Sequence, residues 1–190
     1  MTQTAKPKRR WFQYSLRTLL LFVFLVSIPL SWFAVVVQNV RRQREAVVEI
    51  EQVGGYVVHD CFGNVVHAIV NRTKGEKTGL AHIGTLSQLE LLDLTGFRMT
   101  DANLADLRQM THLKWLWLDC TNTSDAGLEH LKGLIRLQSL GLRGNQITDA
   151  GLEHLKRSRE LRYVNLAGTK VTEQGVESLQ EALPYCQISH

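Results

Sequence analysis

The segment LQSLGLRGNQITDAGL, residues 137–152, is the most informative stretch of this chain. Its three leucines at unit positions 1, 4 and 6 recur without a gap every 24 residues, in units that begin at Leu89, Leu113, Leu137 and Leu161. Leucine fills eleven of the twelve equivalent positions, and Val164 fills the twelfth. A regular repeat of this length predicts a solenoid of stacked units, an architecture that serves binding far more often than catalysis.

Each unit predicts a short strand, a turn and about two turns of helix. Positions 4 and 6 have the two-residue period of a strand with one buried face. Apolar pairs with helical spacing follow in every unit: Leu104 and Leu107, Leu128 and Leu131, Leu152 and Leu155, Val176 and Leu179. A hydroxyl or carboxylate able to cap a helix precedes each pair, at Thr100-Asp101, Ser124-Asp125, Thr148-Asp149 and Thr172-Glu173. Stacking the units buries both apolar sides.

With the pattern L-x-x-L-x-L-x-x-N-x-I-T-D-x-G-L, residues 137–152 resemble the leucine-rich-repeat family, in its 24-residue bacterial subtype. The resemblance implies an α/β solenoid, with a parallel sheet on the concave side and short helices on the convex side. The other units depart from the pattern: Phe97, Thr121 and Thr169 replace its asparagine, and Asn103 replaces a glycine. We therefore expect the turns after the strands to be less uniform than in the family.

The repeat pattern extends in both directions. We expect an N-terminal cap and a degenerate first repeat at 56–88, with a hairpin whose turn lies at 61–64. Four clear repeats occupy 89–184, and Pro184 is expected to stop the last helix. A C-terminal cap strand at 185–190 continues the core positions with Tyr185 and Ile188.

The first 55 residues differ from the repeats. Leu19 to Val37 carry no charge, and 19 residues of helix span roughly 28 Å, close to the thickness of a bilayer. We expect a basic cytoplasmic tail at 1–18, a transmembrane helix at 19–38 and a juxtamembrane helix or linker at 39–55. The alternative is a cleaved signal peptide, which needs a shorter apolar segment and small residues at its cleavage site.

The distribution of charge bears on orientation and on partners. Five basic residues precede the uncharged segment and three follow it, which favours a cytoplasmic N terminus and an exported repeat domain. Residues 1–55 carry a net charge of +5 and residues 56–190 a net charge of −1. The basic residues therefore lie near lipid head groups, and the repeat domain shows no charge typical of nucleic-acid binding.

No residue pattern predicts catalysis, a metal or a cofactor. The residue types of a catalytic triad occur at His112, Asp119 and Ser139, without an informative spacing. The repeated pairs Glu129-His130 and Glu153-His154 offer one ligand pair per helix, a poor metal site, and are better explained as solvent-facing. The cysteines Cys61, Cys120 and Cys186 fall in different units, about 10 Å or more apart, so we expect free thiols.

The concave side of the predicted sheet carries the candidate binding residues. Positions 3, 5 and 7 of each unit point away from the leucines, because strand side chains alternate. These positions place an aromatic cluster rimmed by polar groups on one face: Leu91, Asp93, Trp115, Trp117, Asp119, Arg143, Tyr163 and Asn165. Such a composition is typical of a site that binds a protein, a peptide or an envelope component.

Three alternatives remain open at the level of sequence. The aromatic rings could cover only one another and the sheet. The solenoid could be a structural module that associates with itself or with a larger scaffold. With the opposite orientation, it would be a cytoplasmic adaptor.

Overall fold

The structure, a computed structural model, describes the backbone of residues 16–70 and 82–190 and the side chains of 32–70 and 82–190. The chain divides into two compact units, residues 1–40 and 41–190. Helix α1 (Leu16–Gln52) begins in the first unit and ends in the second. Residues 39–52, predicted as a juxtamembrane helix or linker, are helical and continue from the preceding residues. The helix ends shortly before Gly54, whose φ of 82° is left-handed.

The predicted membrane span is only partly within the described residues. For its residues 19–31 the structure describes the backbone but not the side chains. Residues 1–15 of the predicted tail lie outside the described residues altogether. Among the residues that the structure describes, no helix combines the length and hydropathy needed to cross a bilayer.

The second unit is a solenoid built on one sheet. Its strands are β1 (Tyr56–His59), β2 (Val65–Ile69), β3 (Leu91–Asp93), β4 (Trp115–Trp117), β5 (Ser139–Gly141), β6 (Tyr163–Asn165) and β7 (Gln187–Ser189). They lie side by side in chain order. The β1–β2 pair is an antiparallel hairpin, and each later pair is parallel. The predicted α/β solenoid with a parallel sheet is confirmed.

All twelve residues of the leucine pattern are buried, from Leu89 to Leu166. The pattern fails at one of its outer positions. Tyr185, expected to continue it, is 83% exposed, and Cys186 is buried instead. The Cys186 amide donates to the Leu183 carbonyl at 3.0 Å, so the last turn closes one residue later than in the preceding units. A free Cys behaves as a small apolar residue and suits this interior position.

The helices on the convex side are shorter than predicted, except the last. They are α2 (Asp101–Leu104), α3 (Asp125–Glu129), α4 (Asp149–Leu152) and α5 (Glu173–Ala182). Helices α2 and α3 continue as 3₁₀ turns at Ala105–Gln109 and His130–Gly133, and a further 3₁₀ turn lies at Ile83–Thr85. A 24-residue unit leaves few residues for the return to the next strand, and a 3₁₀ turn covers more length per residue.

Aspartates at the helix starts connect neighbouring units. The sequence predicted a hydroxyl or a carboxylate as the cap of each helix. Asp125 does not cap but accepts hydrogen bonds from the amide and hydroxyl of Thr148 in the next unit, at 2.8 and 2.6 Å. The same pair of bonds joins Asp101 to Ser124 and Asp149 to Thr172. Threonine hydroxyls, at Thr100, Thr148 and Thr172, provide the helix caps.

These aspartates also explain a glycine in the repeat. A Cβ on Gly151 would collide with the Asp125 carboxylate, and Gly127 and Gly175 have the same relation to the aspartate of the preceding unit. The first clear unit has Asn103 at this position, and the residue 24 positions before Asp101 is Lys77, not an aspartate.

The turns after the strands share one left-handed position but are not uniform, as the variable asparagine position led us to expect: the turn after β4 has a further left-handed residue, Asn122, with φ of 69°. The residue at position 8 is left-handed in every clear unit, with φ between 55° and 71° at Gly96, Cys120, Gly144 and Gly168. Buried Asn145 joins two of these turns: its Oδ1 accepts from the Thr121 and Thr123 amides, and its Nδ2 donates to the Leu118 and Leu142 carbonyls.

We predict that Cys120→Gly raises the free energy of unfolding by about 0.5–1 kcal/mol, because a side chain is strained in a left-handed conformation. The matched control is Gly144→Ala, which should lower it, since the added Cβ would stand 2.9 Å from the Cys120 Sγ. Urea unfolding of both variants tests this. A stabilising Gly144→Ala would contradict it.

We predict that Asn145→Ala lowers the free energy of unfolding by about 3 kcal/mol or more, because buried amides and carbonyls of two turns lose their partner. Gln146→Ala, at the next and exposed position, should change it by less than about 0.5 kcal/mol. Thermal unfolding of the two variants measures the difference. Equal losses would show that the Asn145 side chain contributes nothing specific.

Candidate functional site

The exposed face of the sheet carries all eight residues that the sequence singled out. One row crosses the strands through Leu91, Trp115, Ser139 and Tyr163, and the next row through Asp93, Trp117, Gly141 and Asn165. Asp119 and Arg143 follow the ends of β4 and β5. Arg143 is exposed, and the other seven predicted residues are half-buried. The tryptophans are therefore outside the leucine core, on a surface that a partner can reach.

Trp117 and Tyr163 form the centre of this face. The Trp117 ring occupies the space over Gly141, which has no side chain: a Cβ on Gly141 would stand 2.5 Å from the Trp117 Cε3 atom. Lying over β5, the ring reaches Tyr163 on β6, with a centroid distance of 6.3 Å and an interplanar angle of 52°. Tilted pairs at this distance attract each other. We call Trp117, Gly141 and Tyr163 the aromatic surface.

Trp115 has a different neighbour. The Lys114 Nζ lies 5.8 Å from the centroid of the Trp115 ring and also forms a 2.8 Å ion pair with Glu90. A cation at this distance interacts favourably with the face of an indole. The three predicted aromatic residues therefore do not form one cluster. Trp117 and Tyr163 contact each other, whereas Trp115 is paired with Lys114.

A carboxylate lies beside the aromatic surface. The Asp119 Oδ1 atom accepts a hydrogen bond from the Arg143 amide at 2.7 Å, and it would be 2.9 Å from a Cβ on Gly141. Burial raises the pKa of Asp119 above its ordinary value, and the nearby charge of Asp93 raises it further. The amide and the positive charge of Arg143 act in the opposite direction. The ionised form of Asp119 is therefore incompletely compensated.

Two of the predicted polar residues also accept hydrogen bonds from backbone amides two residues later in the chain. The Asp93 Oδ1 atom accepts from the Thr95 amide at 2.9 Å, and the Asn165 Oδ1 atom accepts from the Ala167 amide at 3.0 Å. Each bond closes the chain just after a strand. From the repeat pattern, Asp93 and Asn165 were predicted only as candidate binding residues. Their local role is indicated by the two-residue separation from Thr95 and Ala167 along the chain.

The rows continue onto β2 and β7, whose residues were not among the predicted face residues. His67 pairs with Leu91 in the register of the sheet, and Gln187 pairs with Tyr163. Both residues are one 24-residue period from a predicted face residue, so the repeat spacing was the signal that could have found them.

The remaining candidates are not brought together as a site. His112 and Asp119 lie at opposite ends of β4, and the His112 ring contacts the Ser87 carbonyl. His130 contacts Arg108, while Glu129 and Glu153 pair with lysines of their own turns. Within 32–70 and 82–190, no group of three His, Cys, Asp or Glu side chains has the arrangement of a metal site.

The cysteines are separate from one another. Cys61 and Cys120 are exposed, and Cys186 is buried just before β7. Burial raises the pKa of the Cys186 thiol, and the charge of Arg162 partly offsets that effect.

The chain is similar to several solved structures. Internalin C2 of Listeria monocytogenes has a TM-score of 0.54 and 22% identity, over 66% of this chain and 50% of that one. A leucine-rich-repeat protein of Leptospira interrogans has a TM-score of 0.49 and 23% identity, over 57% and 27% of the two chains. The PEPR1–AtPEP1 complex has a TM-score of 0.49 and 23% identity, over 70% and 19%.

No protein-family model and no curated protein matches the chain. The chain spans no more than half the length of the three similar structures. At these identities the likeness concerns the fold. Together with the parallel sheet, it shows that the described residues of 56–190 form an α/β solenoid like that of leucine-rich-repeat proteins.

Proposed function

We propose that this protein binds a protein, a peptide or an envelope component on the concave face of its sheet. The observation that carries the proposal is the half-exposed Trp117 ring, which lies on Gly141 against Tyr163 with the Asp119 carboxylate beside it. Large aromatic rings combined with oriented polar groups are typical of the residues that supply most of the energy in an interface.

The support beneath the rings favours binding without rearrangement. Strands β4, β5 and β6 are each paired on both sides, and the leucines under them are buried. Gly141 contacts the Trp117 ring closely enough to restrict its position on the sheet. Binding on a surface that is already ordered costs less conformational entropy than binding that must first order a flexible loop.

We further propose that residues 19–38 are a transmembrane anchor and that the repeat domain is exported. The uncharged segment from Leu19 to Val37 and the excess of basic residues before it support this orientation. An anchor would keep the concave face near a membrane or envelope partner and raise its effective concentration.

We predict that Trp117→Ala weakens capture of a membrane partner at least about tenfold, as expected for the loss of a central interface residue. The free energy of unfolding should fall by only about 1–2 kcal/mol, because the ring is half-buried and its contacts lie on the surface of the sheet. Cross-linking in membranes, followed by identification of the partner, gives the measurement.

Two further variants sharpen this test. Gly141→Ala should also weaken capture, because its Cβ would displace the Trp117 ring without removing it. Ile135→Ala is the matched control, since Ile135 is an apolar side chain, 68% exposed, outside the sheet. If Ile135→Ala were as harmful as Trp117→Ala, or if Trp117 mediated only self-association, the proposal would be wrong.

We predict that Leu25→Arg moves the chain from the membrane fraction to the soluble fraction, because a charge near the centre of a span costs about 2.5–3.5 kcal/mol. Ser27→Ala is the control and should leave the distribution unchanged. In intact bacteria, protease added outside the cytoplasmic membrane should digest the repeat domain. Protection until that membrane is opened would reverse the proposed orientation.

A further inference from the structure

Two carboxylates lie near Trp117. Asp93 occupies the neighbouring position on β3, in register with Trp117, and the Asp119 carboxylate lies at the Gly141 side of the ring. Among the described residues, neither aspartate takes part in an ion pair. The face of an indole is electron-rich, so the ring and both carboxylates attract the same kind of group, a cation.

Each carboxylate retains acceptor capacity for a partner. One oxygen of Asp93 is used by the Thr95 amide, and one oxygen of Asp119 by the Arg143 amide. In both residues the second oxygen is in no hydrogen bond with the described part of the chain. A donor group that spans two acceptors beside an aromatic ring would satisfy both oxygens.

We propose that the aromatic surface and its two aspartates bind an arginine side chain presented by an extended segment of the partner. This rests on the proposed function and names the chemistry of the bound group. A guanidinium is flat, stacks on an indole and donates several hydrogen bonds in one plane, whereas an ammonium cannot stack and donate in this way. An extended segment can lie across the concave sheet with one side chain on Trp117.

The pKa of Asp119 agrees with this geometry. Burial and the charge of Asp93 disfavour the ionised form, and a bound cation would reverse that effect. The protein's own Arg143 lowers the pKa of Asp119 but forms no ion pair with it, and its side chain is exposed. Arg143 thus repels an incoming cation without occupying its place.

The experiment uses the full chain in detergent micelles and two probes, the peptides Ac-Gly-Ser-Arg-Ser-Gly-NH₂ and the same peptide with citrulline. Citrulline keeps the shape of arginine but is uncharged. Titrations are followed by the NMR signal of the Trp117 indole N–H, identified by its disappearance in Trp117→Phe. We expect the citrulline peptide to bind about tenfold more weakly, from the loss of the cation.

Matched variants locate the effect. Asp119→Asn, which keeps the acceptor for the Arg143 amide, should weaken the arginine peptide about tenfold and leave the citrulline peptide unchanged. Arg143→Gln should strengthen binding of the arginine peptide, and Glu160→Gln, an exposed carboxylate away from the face, should have no effect. Equal binding of the two peptides, or equal effects of Asp119→Asn and Glu160→Gln, would overturn the proposal.

These outcomes are separable from those of the proposed function. If Trp117→Ala abolishes partner capture while the two peptides bind equally, the concave face is a binding site but arginine is not its ligand. If capture does not depend on Trp117, the proposed function fails as well.

Discussion

The burial of one leucine set per unit against the next unit is the constraint on which the rest of this structure depends. No unit has enough apolar contacts to fold alone, because each consists of a three-residue strand and a short helix. Stacking supplies the missing contacts, and the parallel sheet follows from it. The same stacking buries polar groups between units, which must find partners there. The Asp125–Thr148 bonds and the Asn145 network provide them, so apolar and polar contacts select the same register.

The concave face is a consequence of that core. When positions 4 and 6 face inward, positions 3 and 5 must face outward, whatever residues occupy them. Trp117 stands next to Gly141 in one row, and the absence of a side chain at Gly141 leaves room for the ring to reach toward Tyr163. A small residue in one unit thus determines the position of a large one in the unit before it. The Asp119 carboxylate occupies the remaining space beside the same glycine.

Charge is also distributed unequally along the chain. The basic residues concentrate in the first 55 positions, near the proposed anchor, and the repeat domain has a small negative net charge. Around Trp117 the negative charge is concentrated: Asp93 and Asp119 lie near the ring, and the charge of Asp93 raises the pKa of Asp119. An acidic aromatic surface is suited to a cationic segment of a partner and poorly suited to nucleic acid, in keeping with the proposed function.

The sequence alone determined the period, the inward leucines, the strand positions and the set of residues on the concave face, because these depend on side-chain alternation and on a repeat that any one unit displays. The contacts between units could not be predicted from the sequence alone. The cross-unit bonds of Asp125, the outward turn of Tyr185 and the 3₁₀ segments depend on how one unit meets the next. So does the contact of Trp117 with Tyr163, residues 46 positions apart. The physical reason is that hydrophobic periodicity is local, whereas a hydrogen bond or a ring contact requires two surfaces to be placed within a few ångströms of each other.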